Sequence, residues 1–139
     1  MNGRSVLVID DDKDLLAVIA RVLRTAGFDV RTTSDSRSVS DLVRSRPPQV
    51  LITDIMMPER DGVEVITEIR KTTRGIRILA MTGRSHIGGL NLLEMAERLG
   101  ADDTISKPFD GDELLAKIDA LLSGPSRRLG EGSLRPPPQ

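Results

Sequence analysis

Three runs of consecutive apolar residues stand out along the chain: Val6-Leu7-Val8-Ile9, Val50-Leu51-Ile52 and Ile78-Leu79-Ala80-Met81. None alternates apolar with polar positions, so each reads as a strand covered on both faces, as in a parallel sheet. Phe28-Asp29-Val30-Arg31-Thr32 and Asp103-Thr104-Ile105-Ser106 read as two weaker strands. Between the strands the apolar period is helical. Leu15, Ile19, Val22, Leu23 and Ala26 form one stripe, and Val39, Leu42 and Val43 a shorter one. Val65, Ile66 and Ile69, then Leu92, Leu93, Ala96 and Leu99, then Leu114, Leu115, Ile118, Leu121 and Leu122 complete the set. Each stripe is one face of an amphipathic helix. Gly27 and Gly100 follow such stripes, where a helix ends in a residue of positive φ. Asn91 with Glu94, and Asp110 with Glu113, read as capping boxes. Strand and helix alternate five times, which predicts right-handed crossovers and a doubly wound α/β sheet.

Composition narrows the picture. The 139 residues fit one domain, with 38% apolar residues and only Phe28 and Phe109 as aromatics. So few aromatic faces argue against a stacking platform for single-stranded nucleic acid. There is no cysteine, hence no disulfide or thiolate metal site. The formal charge of -1 marks neither a nucleic-acid binder nor an acidic tail. The first apolar run is too short for a signal peptide, and no stretch approaches the roughly 20 residues that cross a bilayer. A cytoplasmic protein is expected. Residues 123–139 differ from the rest: ten of the 17 are Gly, Pro or Ser, ending in Pro136-Pro137-Pro138. They read as a disordered tail after a domain spanning 1–122, with docking of the Pro-rich end into a partner a minor alternative.

In open α/β sheets, ligands bind outside the carboxyl ends of the strands. Here Asp10, Asp11 and Asp12 follow the first strand, Asp54 ends the third, Thr82 and Gly83 the fourth, and Lys107 and Pro108 the fifth. Carboxylates gathered this closely repel one another, and a divalent cation removes that cost. The ligands are all oxygens, which favours a hard ion and, with a few carboxylates and a phosphate, magnesium. A cation, an ammonium and a hydroxyl around one carboxylate suit phosphoryl transfer to it. Each residue also has an ordinary reading. Asp12 and Asp14 are taken as caps of the first helix. Asp54 could be a turn residue, Thr82 a strand end and Lys107 a solvated lysine. Their convergence at one edge is what argues for a site. His86 reads as a surface residue without a role.

The chain resembles the receiver domains of two-component response regulators over about Arg4 to Leu122. The resemblance rests on Val8-Ile9-Asp10-Asp11-Asp12, on Asp54-Ile55-Met56-Met57-Pro58 with Asp61-Gly62, on Met81-Thr82-Gly83, and on Gly100-Ala101-Asp102 leading to Lys107-Pro108-Phe109. It implies a flavodoxin-like, chemotaxis-regulator-like fold with strand order 2-1-3-4-5. It implies Asp54 as phosphoacceptor and magnesium as cofactor. Asp11 would be a direct ligand, Asp10 would act mainly through a bound water, and the Met56 carbonyl would complete the protein's set with Asp54. Thr82 would hydrogen-bond the phosphoryl group and Lys107 would pair with it. Gly83 would leave room beside the aspartate, and the Lys107-Pro108 bond would be cis. Met56 and Arg84 stand at positions that tune dephosphorylation in the family. One departure is Thr104, where the family usually carries Tyr or Phe as a switch residue.

The expected function is that of a single-domain response regulator. A sensor histidine kinase or histidine phosphotransfer protein would donate the phosphoryl group, and the switch would control binding of a protein partner or relay the group onward. The alternative is an interaction module with this fold and no phosphorylation, towards which only Thr104 leans. A true enzyme with an aspartyl nucleophile would need a second acid two residues later, where Met56 stands. A flavin-binding protein is disfavoured because Asp10 and Asp11 would repel the cofactor's phosphate.

Overall fold

The computed structural model describes residues 4–57, 62–73, 75–83, 86–87 and 90–124. The elements are β1 (Ser5–Ile9), α1 (Lys13–Thr25), β2 (Asp29–Thr33), α2 (Val39–Ser45), β3 (Val50–Asp54), α3 (Gly62–Thr72), β4 (Arg77–Thr82), α4 (Leu92–Leu99), β5 (Asp103–Ser106) and α5 (Gly111–Ser123). A 3-10 turn at Ser36–Ser38 precedes α2. The five strands form one parallel sheet in the order β2-β1-β3-β4-β5. The doubly wound architecture and its strand order are as expected.

The unbroken apolar strands have a simple cause. Successive side chains of a strand point to opposite faces, and both faces here are covered. Val6 and Val8, Val50 and Ile52, and Leu79 and Met81 pack with Leu16, Ile19 and Leu23 of α1 and Leu114 and Ile118 of α5. Leu7 and Ile9, Leu51, and Ile78 and Ala80 pack with Val39 and Val43 of α2, Val65, Ile66 and Ile69 of α3, and Leu92 and Ala96 of α4. With both faces of the central strands β1, β3 and β4 closed, their polar groups gather at the strand ends.

Caps stop and start the helices near the expected residues. Asp12 Oδ1 accepts the Leu15 N–H at 3.1 Å, Asn91 Oδ1 that of Glu94 at 3.0 Å, and Asp110 Oδ1 that of Glu113 at 2.8 Å. Asp14 corrects its reading as a cap: it lies in the first turn of α1, where its charge complements the positive end of the helix dipole. Gly27 and Gly100 have φ of 98° and 136°. Leu99, counted in an apolar stripe, is exposed at the last turn of α4. One element was not foreseen: His86–Ile87 and Leu90–Asn91 pair antiparallel between β4 and α4. Of the tail expected over 123–139, the part beyond Gly124 lies outside the described residues, and Ser123 belongs to α5.

A buried arginine fastens the α3, α4 and β5 corner. Arg70 Nε donates to the Gly100 carbonyl at 2.9 Å, and its terminal nitrogens donate to the Ile76 carbonyl and to Asp102 Oδ2. Asp102 Oδ2 also accepts the Ile78 N–H at 2.8 Å. The Arg70 and Asp102 side chains are 10% and 3% exposed, so removing one partner strands the other away from water. Arg70→Ala is expected to cost about 3–5 kcal/mol, read as a lower midpoint in urea unfolding.

Candidate functional site

The polar strand ends converge at the carboxyl edge. The Asp10 N–H still donates to the Thr33 carbonyl at 3.3 Å, which extends the β1–β2 ladder by one residue and fixes the Asp10 main chain. The Asp10 side chain is fully buried. Its Oδ1 accepts the Asp12 N–H at 3.0 Å and its Oδ2 takes the Lys107 ammonium at 2.7 Å. Asp11, next along, is exposed. Asp12 turns away to cap α1.

Asp54 closes β3, opposite Met81 in register, and is 5% exposed. Its Oδ2 lies 3.3 Å from Lys107 Nζ, and its Oδ1 faces the Met56 N–H at 3.4 Å. Lys107 is placed by its own main chain, whose N–H donates to the Thr82 carbonyl at 2.8 Å. The Lys107-Pro108 bond is cis, as the resemblance implied. Thr82 is buried at the end of β4. A Cβ at Gly83 would have Lys107 Cβ, 4.0 Å away, as its nearest neighbour, so the room there is ample. Met56 is 44% exposed beside the acids.

The charges are unbalanced in a useful way. Burial, then the neighbouring Asp10 charge, push the Asp54 carboxyl up to about 6, against the opposing pull of Lys107 and the Met56 amide. Burial alone would lower Lys107, but its hydrogen bond to Asp10 and the charges of Asp54 and Asp10 outweigh it and raise the ammonium. Carboxylate oxygens of Asp10, Asp11 and Asp54 all lie within 4.8 Å of one another, the only such group among the described residues. Three oxygen donors gathered where positive charge is short fit a hard divalent cation.

The structure thus brings Asp10, Asp11, Asp54, Thr82 and Lys107 to one edge, with the Met56 backbone beside them. Thr104 stands apart, half-buried in β5 opposite Ala80. Arg84, Pro58 and Asp61 lie outside the described residues. Lys107 brings one surprise: its nearest partner is Asp10, 97 residues earlier, rather than Asp54. No local pattern announces a contact of that range. Gly62 was noted only as part of a motif; its close approach to Asp54 becomes visible only in three dimensions.

A parallel α/β sheet with an acid cluster and a lysine at its carboxyl edge defines a class of doubly wound α/β proteins whose site could hold a cation. Comparison with known proteins narrows the class. The response regulator receiver domain family matches residues 6–119. Response regulator MprA of Mycolicibacterium vanbaalenii is 37% identical over 121 residues, covering 84% of this chain and 49% of the relative. The chain therefore spans about half the length of that curated relative. A response regulator receiver domain protein from Clostridium thermocellum has a TM-score of 0.78 at 29% identity, covering 86% of this chain and 94% of that one. A CheY-like receiver domain protein from Methanospirillum hungatei shares the fold, with a TM-score of 0.81 at 23% identity over 88% and 95% of the two chains. The chain belongs to the response regulator receiver domains of two-component systems, a family of signalling modules. Among the described residues no helix is long and apolar enough to cross a membrane.

The raised Asp54 pKa has a stability consequence. An ordinary aspartate loses its proton near 3.8, whereas folded Asp54 holds it to about 6. The folded state binds this proton more tightly, so the group favours folding in acid, and that contribution is lost as pH rises through 6. A shift of roughly two units corresponds to about 2–3 kcal/mol. Asp54→Asn in EDTA should therefore match the wild type near pH 4, and exceed it by about that amount near pH 7.5 in urea unfolding.

Proposed function

We propose that Asp54 is the phosphoacceptor of this receiver and that Asp10, Asp11, Asp54 and the Met56 carbonyl hold magnesium beside it. The observation that carries this reading is the Lys107 ammonium at 2.7 Å from Asp10 and 3.3 Å from Asp54, with all three acids within 4.8 Å. One buried carboxylate is thereby surrounded by sites for positive charge. The donor is a sensor histidine kinase or a histidine phosphotransfer protein. An Asp54 carboxylate oxygen attacks phosphorus, a P–O bond forms, and the P–N bond to the donor histidine breaks as its imidazole leaves.

Each residue has a separable part. Asp54 attacks in its ionised form, and with a pKa near 6 it is mostly ionised at neutral pH. Magnesium, when bound, neutralises charge on the equatorial phosphoryl oxygens. Lys107 pairs with the transferred group, for which it must give up part of its contact with Asp10. Thr82 turns its hydroxyl to a phosphoryl oxygen. The movement biases the packing of α4, β5 and α5, and Thr104 serves there without the apolar surface of a ring. The output is binding of a protein partner or onward transfer of the phosphoryl group, without contact to nucleic acid by this module. Residues 1–123, to the end of α5, are the switch.

Incubation with a small acyl phosphate and magnesium should add the mass of one phosphoryl group, detected by intact-protein mass spectrometry. EDTA and Asp54→Ala should each abolish the adduct. If the wild type stays unmodified with every small donor and histidine phosphodonor tried, the chain is a non-phosphorylated interaction module.

A further inference from the structure

Gly62 opens α3 and is buried, and its place against β3 leaves no room for a side chain. A Cβ there would sit 2.2 Å from the Asp54 carbonyl oxygen, 2.8 Å from Ile55 Cα and 3.0 Å from the Asp54 carbonyl carbon. All three are main-chain atoms, which cannot swing aside as the end of a flexible side chain can. Gly62 is not among the residues of positive φ, so the position calls for room and not for an unusual conformation. Its N–H donates to the Ile55 carbonyl at 2.8 Å. That bond joins the two ends of the segment containing Met56, whose own N–H faces Asp54 Oδ1.

We propose that Gly62 is a positioning residue for the acceptor site. Its bare α-carbon lets the first turn of α3 seat on the main chain of Asp54. The seating holds the Asp54 carboxylate and the Met56 backbone at the spacing the metal and the phosphoryl group require. This rests on the reading of Asp54 and Met56 given above. A methyl group at residue 62 must either push the Asp54 peptide along β3 or lift α3 and lengthen the Gly62–Ile55 bond. Either displacement is of the order of 1 Å, and sites of this kind tolerate only about 0.5 Å. A misplacement of about 1 Å lowers reaction rates by roughly a hundredfold.

The test compares Gly62→Ala with Gly75→Ala, a glycine with nothing within 4 Å of its would-be Cβ. Both are assayed well below their unfolding temperatures. Gly62→Ala is expected to weaken magnesium binding, measured by calorimetry, and to slow phosphorylation by an acyl phosphate about a hundredfold, while Gly75→Ala matches the wild type. A folded Gly62→Ala that binds magnesium and is phosphorylated like the wild type overturns the proposal and leaves the functional reading intact. A wild type that neither binds magnesium nor accepts a phosphoryl group overturns both. Should Gly62→Ala fail to fold, hydrogen exchange of the wild type decides. If seating and metal binding are linked, magnesium at ten times its Kd protects the Gly62 amide about tenfold more. The Arg77 amide, bonded to the Gln49 carbonyl at the opposite sheet edge, should gain less. Equal protection at both amides, or none at either, overturns the proposal.

Discussion

Two buried acids, Asp10 and Asp54, stand side by side at the end of the sheet, and the ammonium of Lys107 touches both. One positive charge does not balance two negative ones, and burial raises the cost of the remainder. The rest of the site follows from that shortfall. Asp54 holds its proton unusually well, Lys107 keeps its own more firmly than usual, and the exposed Asp11 adds a third acid to a place already rich in them. Further positive charge would relieve the cost of this arrangement. The electrostatics of the site therefore favour the approach of positive charge, and its three clustered carboxylates suit a small hard cation.

The sheet explains why this tension is confined to one place. Helices cover both faces, with α1 and α5 on one side and α2, α3 and α4 on the other. Charged groups within the central strands β1, β3 and β4 would be buried between the two helical layers. At the carboxyl edge the strands give way to turns and helix starts, whose N–H groups can receive acid side chains, as Asp12 and Asp10 demonstrate.

Much of this was legible in the sequence because it is written locally. The apolar runs, the helical stripes, the capping acids and amides, and the strand-end aspartates all depend on neighbours within a few residues. What escaped depends on distant contacts or on empty space. Arg70 reads as one more cation on an amphipathic helix, yet it reaches Gly100 and Asp102 across 30 and 32 residues. Leu99 fits the stripe of α4 but lies where the helix has passed the core. The hairpin before α4 joins two-residue segments too short to leave a pattern. At Thr104 the chemistry is plain from the sequence, but the use of a small half-buried side chain at that place is a property of the surrounding surface.

The range of the Asp10–Lys107 contact carries a consequence for the chain before it folds. The two residues that flank Asp54 come from opposite ends of the domain and meet only after β1, β3, β4 and β5 are in register. An unfolded or half-assembled chain presents Asp54 as an ordinary aspartate, with neither lysine nor companion acids nearby. The buried acid pair and its shared lysine therefore exist only in the assembled sheet.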